Sequence, residues 1–278
     1  MSILHVFLLS LIQGVTEFLP VSSSGHLVLL AQFSKWDDQG VGFDVAAHLG
    51  SLLAVLLLFG RVFGDVGVSG VKSTPPRLLA DFSTFLEALN SRGFSRKNSE
   101  ILVYILAVAI ATLPVAVLGF FFRNFIAADL RSVEMVAYST ILFGLLLGFA
   151  DRFRGKKTLA NLCVIHLICL GLAQSLALVP GVSRSGVTIT AALMMGFSRK
   201  AAVAMSAILA VPVICLSAGL ELGYFFRLAD GRILVDLVLV TVMSCLSAYF
   251  SLLFLVKLVE KVGMIPFVIY RIILGSIL

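Results

Sequence analysis

Residues 13–26 read QGVTEFLPVSSSGH, and they place a carboxylate, four hydroxyls and an imidazole inside an otherwise apolar run. Ionisable groups are costly within a bilayer, and those found there usually have a function. Residues 174–190 read QSLALVPGVSRSGVTIT and repeat the pattern, with a Pro followed by a Ser-x-Ser-Gly sequence. We interpret the two stretches as parts of one active site.

The composition predicts a polytopic membrane protein. Of 278 residues, 60% are hydrophobic and 13% are charged, and the mean hydropathy is +1.09, so a soluble domain could not bury the apolar surface. The net charge of +6 comes from cations clustered in loops between apolar segments, which indicates membrane topology rather than nucleic-acid binding. The four cysteines lie in apolar segments without metal-ligand spacing and are predicted to be packing residues.

Two apolar stretches, residues 3–33 and 159–197, are each interrupted at a Pro-containing polar motif. Neither half of the first stretch reaches the roughly 20 residues that a bilayer crossing requires. We therefore predict two re-entrant helix hairpins, whose tips face protein or water because unpaired backbone cannot face lipid.

The remaining chain predicts six full spans and one long polar loop. The loop, residues 64–98, contains an amphipathic segment at 76–92 that we predict to lie on the membrane surface. The fold class is thus an all-α membrane protein with six transmembrane helices and two re-entrant hairpins. The predicted spans are 40–63, 99–122, 132–150, 201–226, 233–256 and 263–278.

Internal similarity divides the chain into two repeats, residues 1–157 and 158–278. Matching motif residues lie about 156 to 161 positions apart. Each repeat contains one hairpin and three crossings, and an odd number of crossings inverts the second copy relative to the first. The hairpins then enter from opposite faces, and we expect their tips to meet near the middle of the bilayer.

Lys and Arg counts give an orientation. Fourteen lie in loops on one predicted side and five on the other, which makes the first side cytoplasmic. Both termini and the mouth of the first hairpin then face outward. Only Arg184 and Arg271 lie within membrane segments.

The second half of each hairpin begins with a serine suited to capping a helix. Ser22 or Ser23 in the first hairpin and Ser183 in the second occupy these positions. Two helix N-termini would then face one volume, an arrangement that binds anions and phosphate especially. Arg184 adds a planar, permanently charged group suited to phosphate oxygens.

Glu17 is expected to hold a divalent cation or to act as a base, rather than only to neutralise Arg184. Oxygen ligands favour Mg²⁺ or Ca²⁺ over zinc. For the nucleophile, two alternatives stay open. Ser23 attacks with His26 as its base, because residues three apart are neighbours on a helix, or His26 itself forms a phosphoenzyme.

Other polar residues have less specific patterns. Ser24 and Thr188 are expected to satisfy backbone groups at the broken helices. His48 lies in a span without a motif and is predicted to be a packing residue. Arg271 could contact phosphate or extend to the membrane interface.

The residues 13–26 and the sequence PGVSRSG at 180–186 resemble the signatures (E/Q)GxTEFLPVSSSGH and PGxSRSG of the undecaprenyl-diphosphatase (bacitracin-resistance) membrane proteins. The resemblance covers the whole chain. It implies hydrolysis of a C55 polyprenyl diphosphate to the monophosphate, which recycles the lipid carrier for peptidoglycan synthesis in the bacterial inner membrane. By match, Glu17, Ser23, His26 and Arg184 take the catalytic positions.

One departure concerns the metal, because relatives with a carboxylate at the first motif position have two acids where this chain has Gln13 and Glu17. The expected partners are a polyprenyl diphosphate and the bilayer, with a homodimer left open and access from the periplasmic side. A lipid-phosphate transporter or flippase is the alternative, since inverted repeats also build transporters. The residues assigned to substrate binding are Gln13, Ser22, Ser24, Gly25, Ser183, Ser185, Gly186, Thr188 and Arg271.

Overall fold

The computed structural model describes residues 3–34, 41–68, 96–129, 132–228 and 231–278. Over these residues the chain is helical and contains no β-strand, and the predicted amphipathic helix at 76–92 lies outside them. The described residues form ten α-helices: α1 (Ile3–Phe18), α2 (Ser23–Ser34), α3 (Val41–Val68), α4 (Arg96–Asp129), α5 (Val133–Ala150), α6 (Val164–Ser175), α7 (Arg184–Met194), α8 (Arg199–Leu228), α9 (Gly231–Lys261) and α10 (Ile265–Ile277).

Three stretches among the described residues are long and apolar enough to cross a membrane: Val133–Phe153, Arg199–Gly219 and Val235–Lys261. They confirm the all-helical membrane class. The described apolar parts of α3 and α4 are shorter, and α10, with 13 residues, rises about 20 Å against about 30 Å of hydrocarbon. The count of six spans therefore stays a prediction.

Both predicted helix breaks are present. Helix α1 ends at Phe18, and α2 begins after the turn that contains Pro20. Helix α6 ends at Ser175 and is followed by a 3-10 turn, Leu176–Leu178, before α7 begins. The helices of the second hairpin cover less than the predicted 159–197, because residues 159–161 form a separate 3-10 turn and α7 stops at Met194.

Helix packing relates the two halves of the chain. Helix α1 of the first hairpin packs on α9, and α6 of the second hairpin packs on α4. Small residues permit close approach in these and in neighbouring helix pairs, as is usual between membrane helices. Gly50 of α3 lies against the α9 backbone at Thr241 and Cys245, and Gly171 of α6 lies against the Ala111 carbonyl of α4.

One end of the helix bundle collects basic loops. The Asp151 carboxylate accepts hydrogen bonds from Arg199 Nε at 2.7 Å and from the Met264 amide at 3.4 Å. The Lys157 amide donates to the Gly196 carbonyl at 3.2 Å. These contacts bring residues 151–157, 196–200 and 261–264 together, which agrees with the grouping of their cations on one side.

Gly50→Ala tests the importance of close helix approach. The new Cβ would overlap the Thr241 carbonyl oxygen and lie 2.9 Å from the Cys245 nitrogen, whereas a Cβ at Gly219 meets nothing within 4 Å. We expect Gly50→Ala to lower the apparent Tm in detergent by at least about 3 °C. Gly219→Ala is the matched control and should leave Tm unchanged or raise it, because Ala favours helix over Gly. Equal Tm values for the two variants would contradict the packing argument.

Candidate active site

The tips of the two hairpins are in direct contact. Ser185 Oγ donates to the Leu19 carbonyl at 2.9 Å, and the Gly181 amide donates to Ser24 Oγ at 3.0 Å. These two hydrogen bonds join residues more than 150 positions apart in the chain. The tips meet as expected, and their position near the middle of the bilayer stays a prediction.

Helices α2 and α7 begin with the same local structure. Ser22 Oγ accepts from the Gly25 amide at 3.3 Å, and Ser183 Oγ accepts from the Gly186 amide at 3.1 Å. Both capping serines have a left-handed backbone, with φ of 73° and 69°. Of the two serines that the sequence left open, Ser22 is the cap. The remaining first-turn amides of each helix are donors suited to an anion.

Arg184 and Glu17 form an ion pair between the hairpins. Arg184 Nη2 donates to Glu17 Oε1 at 2.7 Å, and the two side chains are only 12% and 7% exposed. Each intramembrane charge thus has a partner here, and the expectation that Glu17 holds a cation or acts as a base when an anion is bound stays a prediction. Arg184 Nη1 is buried and has no hydrogen-bond partner among the described residues, so one donor remains for a ligand oxygen.

His48 lies in the same group of polar side chains as Glu17 and Arg184. Gln13 Nε2 donates to Glu17 Oε2 at 2.8 Å and lies 3.3 Å from His48 Nε2, which is 3.8 Å from the same carboxylate oxygen. The prediction that His48 is a packing residue is wrong, because its ring faces the carboxylate. No local motif marks His48, and only the presence of a polar side chain in an apolar span could have indicated it.

Tyr270 is a second residue that the motifs did not identify. Its hydroxyl lies 2.6 Å from His26 Nε2, and the two rings stack with centroids 5.4 Å apart. His26 Nδ1 lies 2.7 Å from the Ser22 carbonyl, which can only accept, so Nδ1 carries a proton. In the neutral ring Nε2 then accepts from the Tyr270 hydroxyl.

The predicted Ser23–His26 pair is not formed in this structure. Both ring nitrogens of His26 are occupied, by the Ser22 carbonyl and the Tyr270 hydroxyl. The Ser22 carbonyl, four residues before His26, lies 2.7 Å from Nδ1 and takes the place of a Ser23 hydroxyl there. Ser23 forms no side-chain hydrogen bond within the described part of the chain.

Arg271 is fully buried, so the alternative that it extends to the membrane interface is wrong. Its Nε donates to the Thr140 carbonyl at 2.9 Å, and its Nη2 donates to the carbonyls of Gly181 and Val182. Nη1 is buried without a partner among the described residues and lies beside Gly186, at the start of α7. Arg271 thus stabilises the turn of the second hairpin, and its Nη1 is left as a donor for a ligand.

Hydroxyl groups satisfy backbone atoms around the breaks. Ser24 accepts from the Gly181 amide, and Thr188 Oγ1 lies 2.8 Å from both the Arg184 carbonyl and Ser206 Oγ. The interpretation of Ser24 and Thr188 as backbone-bonding residues is confirmed. Ser139 of α5, which the motifs did not indicate, donates to the Pro180 carbonyl at 2.5 Å.

Within the described residues no three His, Cys, Asp or Glu side chains lie together as a metal site. The donors nearest to such a site are Glu17 Oε2, the Gln13 amide and His48 Nε2. Gln13 Oε1 is buried and has no partner among the described residues, which leaves an oxygen for a cation. A cation held by Glu17 would therefore have a single carboxylate ligand, because Gln13 turns its amide nitrogen toward Glu17 and His48.

These contacts define a helical membrane protein in which guanidinium groups and helix N-termini gather between two broken hairpins. The chain belongs to the family described as bacitracin resistance protein BacA, whose model matches residues 6–277. It is 44% identical to the undecaprenyl-diphosphatase of Alcanivorax borkumensis, over 98% of this chain and 96% of that protein. It is 41% identical to undecaprenyl-diphosphatase 1 of Pseudoalteromonas translucida, over 99% and 97% of the two chains. The resemblance read from the motifs is confirmed.

Tyr270→Phe tests the hydrogen bond to His26. Without the hydroxyl, the Nε2 lone pair is no longer occupied, so we expect diethyl pyrocarbonate to modify His26 several-fold faster. The adduct at His26 is measured by peptide mass spectrometry over time. Tyr138→Phe is the control, because Tyr138 is exposed on α5. His26 in this variant should be modified at the same rate as in the wild-type protein. An unchanged His26 rate in Tyr270→Phe would contradict the hydrogen bond.

Proposed function

We propose that this protein is an integral-membrane phosphatase that hydrolyses undecaprenyl diphosphate to undecaprenyl phosphate and inorganic phosphate, and so recycles the lipid carrier for cell-wall synthesis. The observation that supports this most is a pair of buried guanidinium nitrogens, Arg184 Nη1 and Arg271 Nη1, that have no partner in the described part of the chain. Arg184 is the first residue of the capped helix α7, and Arg271 Nη1 lies beside Gly186 of the same helix. Membership of a family whose relatives are named undecaprenyl-diphosphatases gives the same substrate. The relatives' names do not favour the transporter alternative.

The diphosphate binds where the donors converge. In this proposal its terminal phosphate accepts from the first-turn amides of α2 and α7, from Arg184 and from Arg271 Nη1. The anion competes with Glu17 for Arg184, and the released carboxylate becomes available as a base or a metal ligand. Donors fixed before the reaction stabilise the charge that develops in the transition state.

Ser23 is the proposed nucleophile, because its hydroxyl forms no side-chain hydrogen bond among the described residues and lies in the first turn of α2. Its oxygen forms the bond to the terminal phosphorus, the bond to the bridging oxygen breaks, and the lipid leaves as its monophosphate. His26 accepts the Ser23 proton once the Tyr270 hydroxyl moves away. Water then hydrolyses the phosphoserine. His26 as nucleophile is the alternative, because release of Nε2 from the Tyr270 hydroxyl would equally free it to attack phosphorus.

A divalent cation, Mg²⁺ or Ca²⁺, is proposed at Glu17, with Gln13 as an oxygen donor. When bound, the ion neutralises charge on the diphosphate. The ion pair with Arg184 uses Glu17 Oε1, so Oε2 is the oxygen that would face the ion. Gly25, Ser183, Ser185 and Gly186 are proposed to shape the backbone of the anion site.

The proposed architecture is a pair of inverted repeats, residues 1–157 and 158–278, with six spans and two re-entrant hairpins. The equivalent packing of α1 on α9 and of α6 on α4 supports it, as do the matching serine caps. The family supports a bacterial inner membrane. We infer that the basic end faces the cytoplasm, that both termini face outward, and that the site opens to the periplasm. A homodimer stays a prediction.

The site assignment predicts loss of turnover in two variants. Arg184→Ala removes a charge that stabilises the transition state, and Glu17→Gln removes the proposed base or ligand, so kcat should fall by about 10²–10³-fold in each. Phosphate released from C55 diphosphate by purified protein in detergent, without a gradient, is the measurement. Arg152→Ala, at an exposed cation near the basic end, is the control and should retain full kcat. Near-full turnover of Arg184→Ala would contradict the site, and transport in liposomes without phosphate release would contradict the enzyme.

The orientation predicts which ends of the molecule react from outside the cell. Ser276→Cys, at the C-terminal end of α10, should react with a membrane-impermeant maleimide on intact cells. Lys156→Cys, in the basic loop, should react only after permeabilisation. The unmodified protein, with its four cysteines, gives the background. The reverse pattern would invert the proposed topology.

A further inference from the structure

A small cavity lies beside Gln13, where helices α1, α2, α3 and α9 meet. Its walls include the apolar side chains of Leu9 and Val240 and the polar residues Ser10, Gln13 and Asp44. The cavity gives the centre of a water molecule about 10 Å³ in which to move. A cavity inside a protein holds one water when this space is about 10–15 Å³ and polar groups line it. The cavity therefore has the size for a single water molecule.

The orientation of the Gln13 amide is fixed by its two neighbours. Its nitrogen donates to Glu17 Oε2 at 2.8 Å and lies 3.3 Å from His48 Nε2. His48 Nδ1 lies 2.7 Å from the Asp44 carbonyl, which only accepts, so the proton is on Nδ1 and Nε2 is an acceptor. A reversed amide would turn its oxygen toward two acceptors. The nitrogen therefore faces Glu17 and His48, and Oε1 points away from them.

Gln13 Oε1 needs a hydrogen-bond donor. Gln13 is only 4% exposed, and Oε1 is buried with no partner in the described part of the chain. A buried acceptor that stays unpaired destabilises the fold, so such atoms usually bind an ordered water. Ser10 Oγ donates to the Val6 carbonyl at 2.6 Å and keeps lone pairs that can accept from the same water. One water in the cavity can thus donate to Gln13 and to Ser10.

We propose that this cavity binds a water molecule through Gln13 Oε1, and that Gln13 is a positioning residue that supplies this water for the hydrolytic step. The inference deepens the proposed function and rests on it. One amide group separates the cavity from the Glu17 carboxylate, because Gln13 lines the cavity and donates to Glu17. An amide oxygen has two lone pairs, so the water does not exclude the oxygen contact proposed for a cation.

The water is used in the second step of the proposed reaction. Departure of the lipid monophosphate leaves a phosphate on Ser23 and the Ser23 proton on His26. The water oxygen then forms a bond to phosphorus, the bond between phosphorus and Ser23 Oγ breaks, and Oγ regains its proton from His26. Glu17, which the bound phosphate has released from Arg184, accepts the water proton and afterwards gives it to the departing phosphate. The first step uses no water.

X-ray radiolysis of the purified protein in detergent tests the water site. Radiolysis converts a bound water into hydroxyl radicals, which oxidise the side chains around it. Leu9 and Leu52 are matched reporters, because each is 8% exposed and Leu9 is the one that borders the cavity. We expect Leu9 to be oxidised several-fold faster than Leu52, as measured by peptide mass spectrometry against dose. Gln13→Met should lower the Leu9 rate to that of Leu52, and Gln174→Met, at the equivalent position of the second hairpin, should leave it unchanged.

Rapid quenching of Gln13→Met with C55 diphosphate tests the use of the water. The variant can still complete the first step, so phosphorylated protein should accumulate while phosphate release slows by about 10–100-fold, as expected for a misplaced reactant. The wild-type protein, quenched at the same times, gives the reference level of phosphorylated protein. Slower release without accumulation, or release at the wild-type rate, would overturn the role of Gln13.

Equal oxidation of Leu9 and Leu52 in the wild-type protein would overturn the water site. This comparison needs no substitution, so it decides the question even if Gln13→Met does not fold. Phosphate release from the lipid diphosphate is measured separately on the wild-type protein. Release of phosphate without faster oxidation of Leu9 would reject the inference alone. Faster oxidation of Leu9 without any release of phosphate would reject the proposed function and leave the water site.

Discussion

The ion pair between Arg184 and Glu17 is the interaction on which the arrangement of the hairpins depends. It joins the C-terminal end of α1 to the first residue of α7, and both side chains are nearly buried. Removing one partner of a buried pair leaves an uncompensated charge and costs roughly 3–5 kcal/mol. Each charge therefore holds the other hairpin in place. An anion that replaces Glu17 as the partner of Arg184 must supply comparable stabilisation, and a phosphate with several oxygens can do so.

Broken helices inside a membrane protein require every freed backbone group to find a partner. Helices α5 and α10, which pack against each other, provide many of these partners for the turn of the second hairpin. Ser139 and Thr140 of α5 donate to the Pro180 and Gly181 carbonyls, and Arg271 of α10 donates to Gly181 and Val182. The contacts that hold the turn therefore also fix the position of Arg271 Nη1, which has no partner among the described residues.

The sequence predicted the site where polarity and motif spacing were informative. Glu17, Arg184 and the capping serines are conspicuous in apolar surroundings, and their convergence followed from the repeat. The sequence did not identify His48 and Tyr270 as site residues, because their partners Gln13 and His26 lie 35 and 244 positions away in the chain. Contacts at such separations depend on how whole helices pack. The predicted Ser23–His26 hydrogen bond is absent for a local reason, since a backbone carbonyl competes for the His26 ring nitrogen.

The two hairpins share a scaffold but differ in chemistry. With an offset of 161 positions, Ser22 corresponds to Ser183, and both cap their helices with the same bond to a glycine amide. At the next position the first hairpin has Ser23 and the second has Arg184. A repeated backbone thus presents a neutral hydroxyl from one tip and a permanent positive charge from the other. Phosphoryl transfer needs both a nucleophile and charge neutralisation around one phosphorus atom, and in the proposed mechanism Ser23 and Arg184 divide these two roles at equivalent positions of the two hairpins.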